Sequence, residues 1–159
     1  MKDFKFLTKR GLTMMEMMMV VAIIAILAAT AAGTFYSLRR QSALDSAVEN
    51  IVALLNQARA KTLASEASSE FGLHFETAKA VMFKGVVYSA ANPDNEEFNL
   101  PSPVEISAVL LEGGGDDVFF EKYSGNVSQF GSIAIRLKSD ASRTKNIIIS
   151  STGIVYVNN

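Results

Sequence analysis

The feature that most constrains this chain is an apolar run of nineteen residues, from Met14 to Ala32, that contains a single ionisable residue, Glu16. As an α-helix the run would be roughly 28 Å long, about the thickness of the hydrocarbon core of a bilayer. A carboxylate is costly in hydrocarbon, so a membrane-spanning helix keeps one where it has a function or a partner. Any interpretation of this segment therefore has to explain Glu16.

The charge distribution gives the apolar run an orientation. Met1 to Gly11 has a net charge of +3, from four basic residues and Asp3, whereas the rest of the chain has a net charge of −4. A basic start before an apolar run is typical of a membrane-targeting segment whose amino terminus stays in the cytoplasm. The chain has no cysteine, so disulfides, thiol chemistry and Cys-based metal sites are excluded.

Two ordinary interpretations of this segment stay open from the residues alone. The small residues of LAATAAG, near Ala31, would suit cleavage of a secretory signal peptide, but Glu16 would then lie inside its apolar region. A plain membrane anchor has the right length but gives Glu16 no purpose. Both interpretations leave the carboxylate unexplained.

The stretch KRGLTMMEMMMVVAIIAIL resembles the processing and assembly signal of type IV pilins and of the pseudopilins of type II secretion. The matching residues, after a short basic leader, are Gly11, Leu12, Thr13, Met14, Met15 and Glu16. The resemblance implies that a membrane-embedded prepilin peptidase cuts between Gly11 and Leu12 and then methylates the new amino terminus of Leu12. The family usually has phenylalanine at the position of Leu12, although the peptidase accepts leucine in some pilins.

The resemblance also gives Glu16 a function in assembly, together with Thr13 of the same motif. Cleavage after Gly11 would expose a free amine on Leu12, four residues before Glu16. In a packed bundle of such helices, Glu16 of an incoming subunit would pair with the Leu12 amine of its neighbour. A charge in lipid is tolerated when it is paired.

A helical pattern continues beyond the membrane segment. Its stripe recurs at three- and four-residue steps and comprises Leu44, Val48, Ile51, Leu55, Ala58 and Thr62. The pattern predicts one helix from about Thr13 to Ser65, roughly 80 Å long. Gly33 is its weak point, since glycine costs about 1 kcal/mol in a helix interior. Gly33 either lets the helix melt locally during assembly or simply closes the membrane segment.

The rest of the chain resembles one subgroup of the same family, the H-type minor pseudopilins and related minor pilins. The stretch ALDSAVENIVALLNQARAKTLASEASSEFGLHF is similar to their helix end and first strand. The stretches DDVFFEKYSGNV, SIAIRLKS and NIIISSTGIVYV are similar to their closing strands. Major pilins often have proline at the position of Gly33, so this residue also favours a minor subunit.

After Ser69 the pattern changes to strands. FGLHFET and AVMFKGVVYSA predict a hairpin, and VEISAVLL, DDVFFEKY, SIAIRLK, NIIIS and GIVYV complete about seven strands, with NPDNEEFNLPSP as a loop. We therefore predict an α+β, pilin-type fold, in which a long amino-terminal helix packs on an antiparallel β-sheet body. The predicted segments are a cleaved leader (1–11), a transmembrane and assembly half of the helix (12–33), its amphipathic half (34–66) and a β-rich globular domain (67–159).

The sequence contains no catalytic constellation, which predicts a protein that is not an enzyme. His74 is the only histidine and has no cysteine partner, so we expect a structural residue rather than a metal ligand. The acidic loops EGGGDD and NPDNEE contain oxygen ligands of the kind that calcium prefers, but neither has the spacing of a known calcium loop. We expect solvated turns there, with no metal and no cofactor.

One basic cluster flanks a predicted hairpin turn, SDASRT, and consists of Arg136, Lys138, Arg143 and Lys145. Some minor pilins of the resembled subgroup bind DNA through basic residues near the carboxyl end, and phosphate contacts need only such a patch. The processed chain is net negative, however, and cations on a hairpin often form a solvated edge that discourages strand pairing. DNA binding is therefore the alternative, and the solvated edge is the preferred interpretation.

Together these features predict a structural subunit of a type II secretion pseudopilus or a type IV pilus. The resemblance implies a single-pass protein of the bacterial inner membrane, with its globular domain in the periplasm or outside, that joins a filament at or near the tip. The implied partners are other pilin or pseudopilin subunits, the prepilin peptidase, the inner-membrane assembly platform and, before assembly, membrane lipid. The alternatives are a DNA-binding minor pilin for DNA uptake and a monotopic membrane protein unrelated to filaments.

Overall fold

The computed structural model describes Gly11 and residues 13–158, and for residues 31–34 and 67 it describes the backbone only. Internal contacts divide the chain into two units, one up to Arg39 and one that begins at Arg40. A single helix, α1 (Met14–Leu63), contributes to both units. Its bounds agree closely with the predicted helix from about Thr13 to Ser65.

The described part of the first unit is the amino-terminal part of α1, and its large apolar side chains are exposed. Met18, Ile24 and Leu38, for example, keep 68%, 59% and 61% of their surface. This segment is long and apolar enough to cross a membrane. Because so large an apolar helix surface is unfavourable in water, we expect lipid or other helices to cover it.

From Arg40 onward α1 is amphipathic. Its buried stripe consists of Leu44, Ala47, Val48, Ile51, Leu55, Ala58 and Thr62, which includes every residue of the stripe predicted from the sequence. The helix ends at Leu63, and Ser65 has a φ of 51°, in the left-handed region. A short 3-10 turn, Glu66–Ser68, then leads the chain into the strands.

The strands form two four-stranded antiparallel sheets, where we expected one sheet of about seven strands. In chain order they are β1 (Phe71–Phe75), β2 (Lys79–Lys84), β3 (Glu96–Asn99), β4 (Val104–Leu111), β5 (Asp117–Phe119), β6 (Gly131–Leu137), β7 (Asp140–Ile149) and β8 (Val155–Asn158). The first sheet has the order β3-β2-β1-β5, and the second has the order β4-β6-β7-β8. The predicted α+β class, a long helix packed on antiparallel strands, is confirmed.

The strand missing from the prediction is β3, which lies within the segment that we expected to be a loop. It is an edge strand with exposed Glu96 and Glu97, and Phe98 is its one partly buried apolar side chain. It is held by ion pairs of 2.7 Å between Lys61 and Glu96 and of 2.8 Å between Lys79 and Glu97. The hydrogen bond that Lys79 donates to the Glu97 carboxylate raises the pKa of Lys79, so this lysine stays charged.

The buried stripe of α1 and the inner faces of both sheets form one hydrophobic core. Its fully buried side chains include Leu55, Phe120, Ile133 and Ile147. At the far end of the helix, the buried Thr62 hydroxyl accepts a 2.9 Å hydrogen bond from the Phe71 N–H. This bond satisfies a backbone donor where the chain leaves the helix and enters β1.

The second sheet lies along the helix from Arg40 to Arg59. At one end, Arg40 donates a 2.7 Å hydrogen bond to Ser139 Oγ in the β6–β7 turn. At the other end, Arg59 donates to the Gly125 and Thr152 carbonyls at 3.3 and 3.4 Å. Gly153 fits there because its φ is 74° and because a side-chain carbon would lie 2.0 Å from the Gly125 carbonyl oxygen.

Candidate assembly helix and basic hairpin

Thr13 is the N-cap of α1. The Glu16 N–H donates a 3.2 Å hydrogen bond to Thr13 Oγ1, and the Met17 N–H donates a 3.1 Å bond to the Thr13 carbonyl. A threonine hydroxyl in this position satisfies a backbone donor that the first helical turn leaves without a partner. The structure therefore joins two of the predicted assembly residues in one local motif.

The Thr-Met-Met-Glu sequence has the spacing of a capping box, in which a glutamate lies three residues after the N-cap. Glu16 is exposed and lies in the first turn, where the positive end of the helix dipole favours a carboxylate. Glu16 thus has a role in the first turn of a single chain as well as the predicted role between subunits.

The predicted cleavage site lies at the border of the described residues. Gly11 is exposed and precedes the helix, whereas residues 1–10 and Leu12, the predicted new amino terminus, lie outside the described part. Gly33 lies within α1, whose backbone is helical on both sides of it. Its role as a melting point during assembly stays a prediction.

Three of the four cations in the basic cluster are paired with carboxylates. Arg136 contacts Glu105 of the neighbouring strand at 2.8 Å, Arg143 contacts Asp140 at 3.4 Å, and Lys145 contacts Asp45 of α1 at 2.7 Å. Arg143 also donates a 3.1 Å hydrogen bond to Gln41 Oε1. Because Asp45 and Gln41 belong to the helix, these contacts fasten the hairpin to α1.

The hairpin turn differs from the one predicted. We expected a turn at SDASRT, but the chain reverses at Lys138 and Ser139, and β7 already begins at Asp140. The register shifts there, since Leu137 is opposite Asp140 while Arg136 is opposite Thr144. Hydrogen bonds from the Ser142 hydroxyl and N–H, and the charge of Arg143, lower the pKa of Asp140.

These pairings change what the cluster can do. Lys138 is exposed at the turn, whereas the charges of the other three cations are each balanced by a carboxylate within 3.4 Å. Phosphate binding relies on cations that release counterions, and a cation paired within the protein contributes less to it. The geometry favours a structural cluster, and DNA binding stays an untested alternative.

His74 lies in β1 and has two neighbours that the sequence did not indicate. Its Nδ1 donates to the Asp117 carboxylate on β5, and its ring stacks on Tyr88 with centroids 3.9 Å apart. Beside it is an open cavity of about 540 Å³, lined in part by Glu76, Ser107 and Asp116. Within the described residues, no group of three His, Asp or Glu side chains is arranged to hold a metal ion.

The two acidic segments, EGGGDD and NPDNEE, have different structures. In EGGGDD, Gly113, Gly114 and Gly115 all have positive φ, which makes this β4–β5 connection a glycine turn. In NPDNEE the two glutamates belong to β3 and pair with lysines, as described above. Neither loop brings its carboxylates together around a common centre among the residues that the structure describes.

The architecture described above, in which the amphipathic part of a long helix packs on antiparallel sheets, resembles a fold that has been solved for a type IV minor pilin. Two crystal structures of the type IV minor pilin FimU from Pseudomonas aeruginosa have this fold, with TM-scores of 0.55 and 0.56. Each is 16% identical to this chain; the alignments cover 73% and 75% of this chain and 93% and 90% of FimU. No protein-family model and no curated protein matches the sequence.

Proposed function

We propose that this protein is a minor subunit of a type IV pilus or a type II secretion pseudopilus. The observation that carries the proposal is the combination of a pilin-type body with an exposed apolar helix whose N-cap, Thr13, lies two residues after Gly11. The fold alone does not define a function, since one fold supports many functions. The function therefore depends on the amino-terminal segment.

The exposed apolar part of α1 supports this role because other molecules must surround it both before and after assembly. Before assembly, lipid surrounds the predicted transmembrane half of the helix (12–33) in the inner membrane, with the globular body in the periplasm. In a filament, the equivalent helices of other pilin-like subunits replace the lipid. The Glu16 carboxylate then pairs with the Leu12 amine of a neighbour, which compensates for burying both charges.

The partners of the proposed function follow from the same segment. A prepilin peptidase would remove residues 1–11 and methylate Leu12, and an inner-membrane assembly platform would extract the subunit from lipid. No catalytic role of the chain itself is proposed. A single-pass topology with a cytoplasmic leader agrees with the +3 charge of residues 1–11.

The proposal predicts a mature protein that begins at Leu12. Intact-mass measurement on protein extracted from membranes should show the loss of residues 1–11 and one added methyl group. Gly11→Val should leave the leader attached, because the side chain would not fit an enclosed cleavage site. Gly33→Val provides the matched control and should be processed normally. A mature start near Ala32 would instead identify a secretory signal peptide, and an uncut chain would identify a plain anchor.

The alternative, DNA binding by the basic hairpin, has a separate test. Because three of its cations are paired, we expect the full-length chain in detergent not to shift duplex DNA, even at low salt. A shift that weakens with salt would contradict this expectation. Replacing Arg136, Lys138, Arg143 and Lys145 with alanine should then weaken binding equally for all sequences and flatten its salt dependence.

A further inference from the structure

The two sheets have four edge strands among the described residues: β3 and β5 in the first sheet, and β4 and β8 in the second. An edge strand exposes backbone N–H and C=O groups that can pair with another chain. Soluble proteins block such edges with charges, short strands, bulges or covering loops. The four edges of this protein differ in whether they are blocked.

Three of the edges have a recognisable protection. β3 carries the exposed charges of Glu96 and Glu97, and β5 is only three residues long. β4 has a register shift between Ile106 and Ala108, and its Ile106 N–H donates a 3.0 Å hydrogen bond to the Thr77 carbonyl in the β1–β2 turn. Each of these features hinders the addition of another strand.

Among the residues that the structure describes, β8 has no charged side chain, no register shift and no covering backbone hydrogen bond. Its sequence, Val155-Tyr156-Val157-Asn158, has no charge and no proline, and it pairs with β7 in a continuous register. Its side chains are nevertheless exposed, with 51% of Tyr156 and 40% of Val157 accessible, and 58% of Ile154 just before it. β8 is therefore an uncharged edge that combines apolar, exposed side chains with accessible backbone.

The hydrogen-bond pattern between β7 and β8 shows which backbone groups of β8 point away from β7. The Ser150 N–H donates a 2.9 Å hydrogen bond to the Ile154 carbonyl. Hydrogen-bonded pairs alternate along an antiparallel ladder, so Tyr156 and Asn158 bond to β7. The N–H and C=O groups of Val155 and Val157 therefore point to the open edge.

The outer face of the second sheet favours a fifth strand beside β8. A cross-strand row of uncharged residues runs over this face: Leu110, Ser132, Ile148 and Tyr156 lie directly opposite one another in successive strands. Leu110 keeps 68% of its surface exposed, and Tyr156 keeps 51%. An added strand would place its own apolar side chain next to Tyr156 and continue this row.

We propose that β8 is a docking edge that pairs with an extended strand from a neighbouring pilin-like subunit. The outward groups of Val155 and Val157 match an extended backbone, and an edge without cations offers nothing to nucleic acid or lipid phosphate. That the strand pairing with β8 comes from a pilin-like subunit rests on the proposed function. The pairing supplies contacts between bodies, in addition to those between amino-terminal helices.

Val157→Pro tests the pairing because proline removes an outward N–H without removing a bond to β7, a position where an edge strand tolerates proline. Val157→Thr is the matched control, since it keeps both the N–H and the preference for strand. Both variants are made in the full chain and expressed in its host. We expect Val157→Pro to lower incorporation into sheared filaments about tenfold, and Val157→Thr to incorporate like the wild type.

Crosslinking identifies the strand that pairs with β8. A photoreactive amino acid at Tyr156 should form an adduct whose crosslinked peptide, identified by mass spectrometry, lies in an extended segment of another pilin-like subunit. The same amino acid at Ser107, on the protected β4 edge, should not. The adduct at position 156 should disappear when Val157→Pro is added. Thermal unfolding of the purified full chain checks that the body is intact, and Val157→Lys replaces the proline variant if it is not.

The outcomes separate this inference from the proposed function. A processed Val157→Pro chain with an intact body that enters filaments like the wild type overturns the inference alone. Adducts that map to a helix, or to a protein without a pilin-type body, overturn it as well. A wild-type chain that keeps its leader and is absent from filaments overturns the proposed function, and with it the identity of the strand that pairs with β8.

Discussion

The Glu16→Ala variant is expected to be cleaved normally after Gly11 but to be almost absent from filaments. Removing the carboxylate would leave the Leu12 amine of a neighbour without its partner in an apolar setting. Breaking a buried ion pair in this way costs about 3–5 kcal/mol. Since about 1.4 kcal/mol corresponds to a factor of ten in an equilibrium, incorporation should fall at least a hundredfold.

The experiment expresses Glu16→Ala beside the wild type, checks processing by intact mass and counts the subunit in sheared filaments. Glu49→Ala is the matched control, because Glu49 is an exposed glutamate on the part of α1 that belongs to the body. It should be incorporated normally. If processed Glu16→Ala were incorporated like the wild type, the charge would not set the register between helices, and contacts between bodies would have to do so.

Leu55→Ala is expected to have the opposite effect, destabilising the body without altering cleavage. Leu55 is completely buried in the core that α1 shares with both sheets. Replacing a buried leucine with alanine costs about 2–5 kcal/mol, which combines the lost burial with the cavity left behind. A domain stabilised by about 5–15 kcal/mol would lose a large part of its stability.

Denaturant unfolding of the full chain in detergent, followed by the circular dichroism of the strands, measures this effect. The matched control is Asn56→Ala, one residue further along the helix and exposed, which should change the free energy of unfolding by less than about 0.5 kcal/mol. A Leu55→Ala chain as stable as the wild type would mean that the Leu44–Ala58 stripe does not belong to the core. Glu16→Ala should leave this unfolding transition unchanged.

The helix was the most predictable element because its signal is local and repeated. The apolar run and the stripe from Leu44 to Ala58 each recur over several turns, so few other structures fit them. The turn from helix to strands near Ser65 was also predicted from the change of period. The order of the strands within each sheet was not predicted, because strand pairing depends on contacts between distant parts of the chain.

The strand and turn predictions were wrong where apolar and polar residues alternate only weakly, or where a turn contains no glycine. Glu96 and Glu97 give β3 no buried face, so nothing in its pattern distinguishes it from a loop. Asp140, Ser142 and Arg143 have the polar character of a turn, but they extend an irregular strand while Lys138 and Ser139 form the reversal. The split into two sheets has no local signature in these residues.

The basic hairpin shows what sequence reasoning could not provide. Lys145 and Asp45 are one hundred positions apart and yet 2.7 Å apart in space, so the partner of this cation was not visible in the sequence. The N-cap of α1, in contrast, is predictable from the sequence, since Thr13 and Glu16 have the spacing of a capping box. Thr13 and Glu16 therefore contribute to the start of the helix in addition to their predicted roles in assembly.

The core arrangement has a consequence for how the protein is made. The apolar part of the stripe on α1 ends at Ala58, whereas Ile149, which belongs to the same core, is translated roughly 90 residues later. At synthesis rates of about 5–20 residues per second, this delay is on the order of 5–20 s. During that interval the apolar helix face has no sheet to pack on, and the contacts that finally close the core are distant in sequence and slow to form. The nascent chain therefore needs protection from aggregation until its last strands have emerged.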